Sequence, residues 1–284
     1  NAANYPAMTH SIVEVSGFDT DADGFMNRVY AGDLGGNMFA FRDDEGTGTW
    51  EERRLFSASA VDDVQRKIFH APDAVRESFG EIIFFGTGDR ADPMETGVVN
   101  RFYAIKNEWE GIETFATLSE SDLVDVTDDL LQLGTAEEKA AVQAALETSK
   151  GWYIRLENPG EKVLASPTVF AGVVYFTTYT PGEPGVVSED PCMVSTARGT
   201  ARLYAVDYLT GVSVYNWSEE VEGAAELGKL DRSKVIGSGI PSAPVVAVLE
   251  SGPEIFLGVE GGVVQETPVA RTDMNIFYWR QIFF

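Results

Sequence analysis

The chain has 284 residues, of which 44% are hydrophobic and 11% aromatic, a composition that is typical of a packed soluble protein and excludes global disorder. It carries 45 Asp and Glu against 21 Lys and Arg, a net charge of −24. This charge repels nucleic-acid phosphates and anionic membrane surfaces, whereas divalent cations, basic partners or a merely solvated surface are compatible with it. No stretch approaches the ~18 consecutive apolar residues of a membrane span.

Short apolar strands separated by Gly, Pro and Asp recur along the chain in four similar units. The predicted strands lie at residues 10–15, 28–32 and 37–41; 67–70, 81–88 and 101–105; 166–170, 173–177 and 201–206; and 242–248 and 254–258. The prolines at 167 and 244 precede equivalent strands. This regularity indicates an internal repeat.

Several of these strands are apolar at consecutive positions, notably residues 82–85 and 173–176. Such runs are typical of strands that are covered on both faces. Sheets packed face to face around an axis provide this environment, as in a β-propeller, whereas a sandwich would show cleaner alternation. We therefore predict an all-β propeller domain, or a large part of one, over residues 1–284, with about four blades legible.

Two insertions interrupt the repeat. Residues 119–150 contain a helix-forming run in which Thr135 and Glu138 have the spacing of a capping box. Val142 and Leu146 are one helical turn apart, which predicts a short helix that packs on the sheets. Residues 181–199 are rich in Pro, Gly and Ser and predict a surface loop.

The most specific motif is the acidic segment at residues 19–27, between the first two predicted strands. Its spacing is that of an EF-hand calcium loop, and the candidate ligands are Asp19, Asp21, Asp23, the Phe25 carbonyl and Asn27. Gly24 permits the sharp bend, but Tyr30 occupies the place of the bidentate Glu, and a strand follows in place of a helix. We predict a Ca²⁺ site on a turn between strands, the alternative being an Asp-rich turn without metal.

Other polar and aromatic clusters are interpreted as structural. The acidic residues at 122, 125, 128 and 129 alternate with apolar ones, which favours a solvated helix face over a second metal site. The tryptophans are interpreted as residues that pack between blades. We find no nucleophile elbow, P-loop or zinc-protease motif in the sequence, so no catalytic residue is assigned.

The chain contains one cysteine, Cys192, which excludes an internal disulfide and a CxxC metal or redox site. A bond to a thiol on another chain stays open. The chain begins at Asn1 without a recognisable signal segment, so we interpret it as a processed product or an excerpt of a longer polypeptide.

Two resemblances extend this interpretation. Ala205, Asp207 and Gly211 resemble the tryptophan-docking motif of quinoprotein propellers, although Tyr215 stands where that motif has Trp. Residues 19–37 resemble the calcium-binding segment of the PilC/PilY family of type IV pilus biogenesis factors and tip adhesins. Further segments similar to that family lie at 83–88, 102–105, 173–181, 203–211 and 277–282.

The PilC/PilY resemblance implies a quinoprotein-like propeller of about seven blades at the pilus tip or outer surface. It implies that calcium, held by the five ligands named above, regulates pilus extension, retraction or attachment. Minor pilins of the tip complex, and a host or surface ligand, are the implied partners, without enzymatic activity. The alternatives are a quinone-dependent dehydrogenase on the same fold and a secreted scaffold with a purely structural calcium site.

Overall fold

The computed structural model describes residues 8–43, 46–109, 116–182, 198–218 and 227–269. Cys192, Trp279, the segment 277–282 and most of the predicted loop 181–199 lie outside these ranges. The described residues form four β-sheets, numbered here in chain order, with two α-helices inserted between strands of the second sheet. The all-β prediction is confirmed.

The strands within each sheet follow one another in sequence, and nearly all neighbours are antiparallel. Sheet 1 contains β1 (Ile12–Phe18), β2 (Arg28–Asp33), β3 (Asn37–Arg42) and β4 (Glu51–Ser57). Sheet 2 contains β5 (Asp73–Glu77), β6 (Gly80–Gly86), β7 (Arg101–Asn107), β8 (Val124–Asp125) and β9 (Gly151–Arg155), with β8 parallel to β9. Sheet 3 contains β10 (Lys162–Val163), β11 (Thr168–Phe170), β12 (Val173–Thr180), β13 (Thr200–Asp207) and β14 (Ser233–Ser238). Sheet 4 contains β15 (Val245–Leu249), β16 (Gly252–Val259) and β17 (Gly262–Glu266).

The strand predicted at residues 67–70 is wrong. The backbone N–H of Ile68 donates to the Asp33 carbonyl, and the Lys67 carbonyl accepts from Gly88 N–H. This segment therefore connects loops of sheets 1 and 2 and does not join a sheet ladder.

The sheets pack face to face in chain order, with a separate apolar core between each pair. Tyr30 and Met38 of sheet 1 meet Ile83 and Phe85 of sheet 2. Phe102 of sheet 2 stacks on Phe176 of sheet 3 with ring centroids 3.7 Å apart. Tyr175 and Leu203 of sheet 3 meet Ile255 and Leu257 of sheet 4. Alternate residues of sheets 2 and 3 enter different cores. Their strands are therefore apolar at consecutive positions because both faces are covered, as predicted.

The strands β1, β5, β11 and β15, one from each sheet, lie next to each other in turn. The Ser16 hydroxyl on β1 donates to the Pro72 carbonyl, directly before β5. Asp73 accepts from the backbone N–H of Val169 on β11 at 2.8 Å, and the Thr168 hydroxyl donates to the Pro244 carbonyl at 2.7 Å. Pro72 and Pro244 each directly precede the first strand of a sheet, and the carbonyl of each accepts a hydroxyl bond from the preceding sheet.

The inserted helices are α1 (Leu130–Leu133) and α2 (Ala136–Thr148). The capping box is confirmed, because the Thr135 hydroxyl accepts from Glu138 N–H at 3.3 Å and the Glu138 carboxylate accepts from Thr135 N–H at 2.8 Å. Leu146 is buried in the core between sheets 2 and 3, and Val142 packs at its margin. The assignment of residues 1–284 to one domain stays a prediction.

Replacing Thr135 with Ala should lower the free energy of unfolding by about 1 kcal/mol, because the backbone N–H of Glu138 at the start of α2 loses its side-chain acceptor. Urea unfolding monitored by circular dichroism would measure this. Thr135→Ser retains the oxygen and should unfold like the wild type. A loss of the same size in both variants would contradict the capping role.

The prediction that the acidic residues at 122, 125, 128 and 129 form a solvated helix face is wrong. Asp125 lies on β8, and the largest departure is at Asp129. This residue is buried, precedes α1 in the left-handed conformation (φ 55°), and pairs with Arg232 at 3.1 Å. Burial raises its pKa to about 6, despite the opposing charge of Arg232. Because Arg232 directly precedes β14, the pair ties the insertion of sheet 2 to sheet 3.

Trp152 supplies the aromatic contact that the docking motif implied. Its indole Nε1 donates to the Tyr208 carbonyl at 3.2 Å. Gly211 has φ 70°, and a Cβ built on it would lie 3.1 Å from the Trp152 indole. The motif glycine of sheet 3 thus packs under a tryptophan of sheet 2, whereas Tyr215 packs on the core between sheets 3 and 4.

Candidate metal site

The acidic segment forms the loop between β1 and β2. The ladder pairs Phe18 with Arg28, and the backbone N–H of Asn27 donates to the Phe18 carbonyl at 3.0 Å. The loop therefore begins and ends at one edge of sheet 1. A strand leaves the loop, as predicted, so the site differs from an EF-hand in its exit element.

Asp19 organises the bend. One of its carboxylate oxygens accepts from Ala22 N–H at 2.7 Å, and the other accepts from Gly24 N–H at 2.9 Å. Gly24 has φ 93° with open space around it, so glycine is needed there for its conformation and not for close packing. The bonds from Gly24 and the neighbouring backbone N–H groups hold the pKa of Asp19 below its usual value. Asp19 is consequently an anion at neutral pH.

Three of the five predicted ligands converge. Asp19, Asp21 and Asp23 each place a carboxylate oxygen within 4.8 Å of the others, and Asp21 and Asp23 are exposed to solvent. Three negative charges at this separation repel one another. A divalent cation between them would remove that repulsion, and carboxylate oxygens are the ligands that Ca²⁺ prefers.

The other two predicted ligands have different surroundings. Phe25, whose carbonyl is the predicted ligand, is 76% exposed. Asn27 is 8% exposed, and its amide oxygen accepts from both the backbone N–H and the hydroxyl of Thr20, at 2.9 and 3.0 Å. Asn27 thus closes the loop in this structure, and its amide oxygen would have to leave Thr20 to reach a metal. Its role as a ligand stays a prediction.

The loop rests on a polar network that sequence reasoning missed. The Asn27 carbonyl accepts from the Arg28 guanidinium at 2.8 Å, and Arg28 Nε donates to Glu81 of sheet 2 at 3.0 Å. Glu81 also accepts from Trp109 Nε1 at 2.9 Å and from the Tyr30 hydroxyl at 3.2 Å. The available signal was a charged residue at the start of β2 and another at the start of β6, both followed by apolar runs.

No protein-family model matches the chain. A type IV pilus biogenesis factor PilY1 homolog of Xylella fastidiosa is 27% identical over 99% of the chain, and a second such homolog of this organism is 27% identical over 58%. The chain spans 23% of the first relative and 12% of the second. The crystal structure of the Pseudomonas aeruginosa PilY1 C-terminal domain matches with a TM-score of 0.60 at 17% identity, over 89% of this chain and 60% of that one.

The resemblance to the PilC/PilY family is confirmed. The chain matches the C-terminal domain of PilY1 in fold, and its described residues form mainly β-sheets with few helices. The first PilY1 homolog aligns across nearly the whole chain, so the relationship extends over the sheets and the insertion as well as the acidic loop. Neither α-helix among the described residues has the length and apolar character needed to cross a bilayer.

Proposed function

We propose that this chain is a calcium-binding, non-enzymatic part of a type IV pilus biogenesis factor. The observation that carries the proposal is the cluster of Asp19, Asp21 and Asp23 at one edge of a fold shared with the PilY1 C-terminal domain. The role in pilus biogenesis comes from the PilY1 homologs, of which the chain spans a minor part. On this basis we propose that the protein acts at the cell surface, at the pilus tip or the outer membrane.

We propose further that the four sheets are blades of a quinoprotein-like β-propeller of about seven blades. Three observations support this arrangement: the sheets pack face to face in chain order, the strands β1, β5, β11 and β15 adjoin, and Trp152 docks on Gly211 of the next sheet. The match covers 60% of the PilY1 chain, which leaves room in that fold for further sheets.

Calcium would act by neutralising the three converging carboxylates. Without the ion, the mutual repulsion of the carboxylates loosens the β1–β2 loop. With the ion bound, the loop adopts one shape. Phe25 and Met26 are exposed on the same loop, so a partner that contacts this edge would meet a different surface in each state. We propose minor pilins of the tip complex as that partner, with regulation of extension, retraction or attachment as the consequence, and a host or surface ligand as a further partner.

Calorimetric titration with calcium tests the site. The wild-type protein should bind one Ca²⁺ per loop, and Asp21→Ala should weaken binding about 100-fold or more, because it removes a charged ligand from the cluster. Asp92→Ala, which removes an exposed aspartate outside the cluster, is the matched control and should bind like the wild type. Equal heats for wild type and Asp21→Ala would count against a calcium site at this loop.

A further inference from the structure

The end of the candidate calcium loop is held by bonds to its backbone. The Asn27 carbonyl accepts from Asp43 N–H of the neighbouring hairpin at 3.1 Å and from the Arg28 guanidinium at 2.8 Å. Arg28 is nearly fully buried, with 6% of its side chain exposed. A buried guanidinium that donates to the loop carbonyl therefore determines where the loop ends.

The same guanidinium reaches the next sheet. Its Nε donates to Glu81, whose side chain is 3% exposed, and the guanidinium lies 5.6 Å from the centre of the Trp109 ring. Glu81 accepts further bonds from Tyr30 of sheet 1, from Asn107 at the end of β7 and from Trp109, two residues beyond that strand. One carboxylate thus joins two sheets and the loop in a single buried network.

We propose that Arg28 and Glu81 are positioning residues for the candidate calcium loop, and that they couple calcium binding to the packing of sheet 1 on sheet 2. This inference rests on the proposed function of the loop. A guanidinium can bridge the Asn27 carbonyl and Glu81 together because its donors are fixed in one plane. The bridge fixes the Asn27 carbonyl at the end of the loop and so favours the loop conformation that binds calcium. By linkage, calcium binding stabilises the intact interface by the same factor by which the intact interface raises the calcium affinity.

Two variants break the bridge in different ways. Arg28→Lys keeps the charge but offers one ammonium in place of the planar pair of donors, and Glu81→Gln removes the charge that orients Arg28. Glu161→Gln is the matched control. Glu161 is an equally buried carboxylate that accepts from a tyrosine hydroxyl, Tyr204 at 3.0 Å, in the packing of sheet 3, away from the loop.

Calorimetry with calcium on the three variants should show affinity reduced about fivefold or more in Arg28→Lys and Glu81→Gln, and unchanged in Glu161→Gln. If the wild type binds calcium and both bridge variants bind with wild-type affinity, the coupling is refuted while the calcium site stands. An equal reduction in Glu161→Gln also refutes it, because the effect would then be general loosening. If the wild type does not bind, the proposed function itself fails.

A measurement on the wild type covers the case in which the bridge variants do not fold. In protein labelled with 5-fluorotryptophan, the fluorine resonance of Trp109 should shift during the calcium titration, because the Trp109 Nε1 donates to Glu81. The calcium affinity obtained from this shift should equal the affinity measured by calorimetry. The resonance of Trp152, which lies between sheets 2 and 3, should stay in place. Trp109→Phe and Trp152→Phe assign the two signals. Calcium binding without movement of the Trp109 signal would overturn the coupling.

Discussion

Replacing Arg232 with Met should lower the free energy of unfolding by about 3–5 kcal/mol at neutral pH. Arg232 is 2% exposed and donates to the carbonyls of Val126 and Thr127 at 2.8 and 2.9 Å. The substitution removes both bonds. The Val126 carbonyl keeps a further donor, the backbone N–H of Asp129 at 3.1 Å, but Asp129 is left buried without its cation. Chemical unfolding monitored by circular dichroism would measure the loss.

The size of this loss should depend on pH. Burial raises the pKa of Asp129 from 3.8 to about 6, so the folded state binds this proton more tightly than the unfolded state. The resulting stabilisation is complete below the unfolded pKa and disappears as the pH rises through the folded pKa. Without Arg232 the pKa of Asp129 rises further, because an attractive charge is lost. Arg232→Met should therefore be less damaging at about pH 5 than at about pH 7.5.

A double variant separates the carboxylate from the lost hydrogen bonds. Asp129→Asn combined with Arg232→Met has no titrating group at this position, so its stability relative to Asp129→Asn alone should vary little between these pH values. An equal loss for Arg232→Met at both pH values would show that Asp129 does not carry the pH dependence.

Trp152→Ala should also cost about 3–5 kcal/mol, because it empties a large buried site between sheets 2 and 3. The indole packs on Gly211, lies near Phe102 and donates to the Tyr208 carbonyl, so both packing and a hydrogen bond are lost. Urea unfolding followed by circular dichroism gives the value. Trp152→Phe retains an aromatic ring and should lose about half as much. A loss below about 1 kcal/mol in Trp152→Ala would contradict the docking role.

Strands that enter a core could be predicted from sequence, whereas several edge strands could not. β6 and β12 contain runs of apolar residues because both faces are buried, and periodicity detects such runs. β4 contains Glu51, Glu52, Arg53 and Arg54, and β14 is only partly buried. The polar start of β4 and the partly buried β14 pair with β3 and β13 through backbone ladder bonds, and such bonds leave little trace in composition.

The candidate site likewise has features that could be predicted from sequence and features that could not. The convergence of Asp19, Asp21 and Asp23 follows from spacing within nine residues, so local sequence predicted it. The bonds from Thr20 to the Asn27 amide oxygen were not predicted, because the same oxygen can serve a metal or a hydroxyl. The link from Arg28 to Glu81 spans 53 positions and depends on how sheet 1 lies on sheet 2.

By itself, the sequence determined the β-sheet character, the repeat, the capped helix and the acidic loop, because each depends on side-chain type and spacing over a few residues. Only the tertiary structure decided that Trp152 docks on Gly211, that Asp129 is a buried partner of Arg232, and that Arg28 joins the loop to Glu81. The physical reason is that these three contacts are made between different sheets. Their free energy depends on desolvation and packing, which arise only when distant segments of the chain meet.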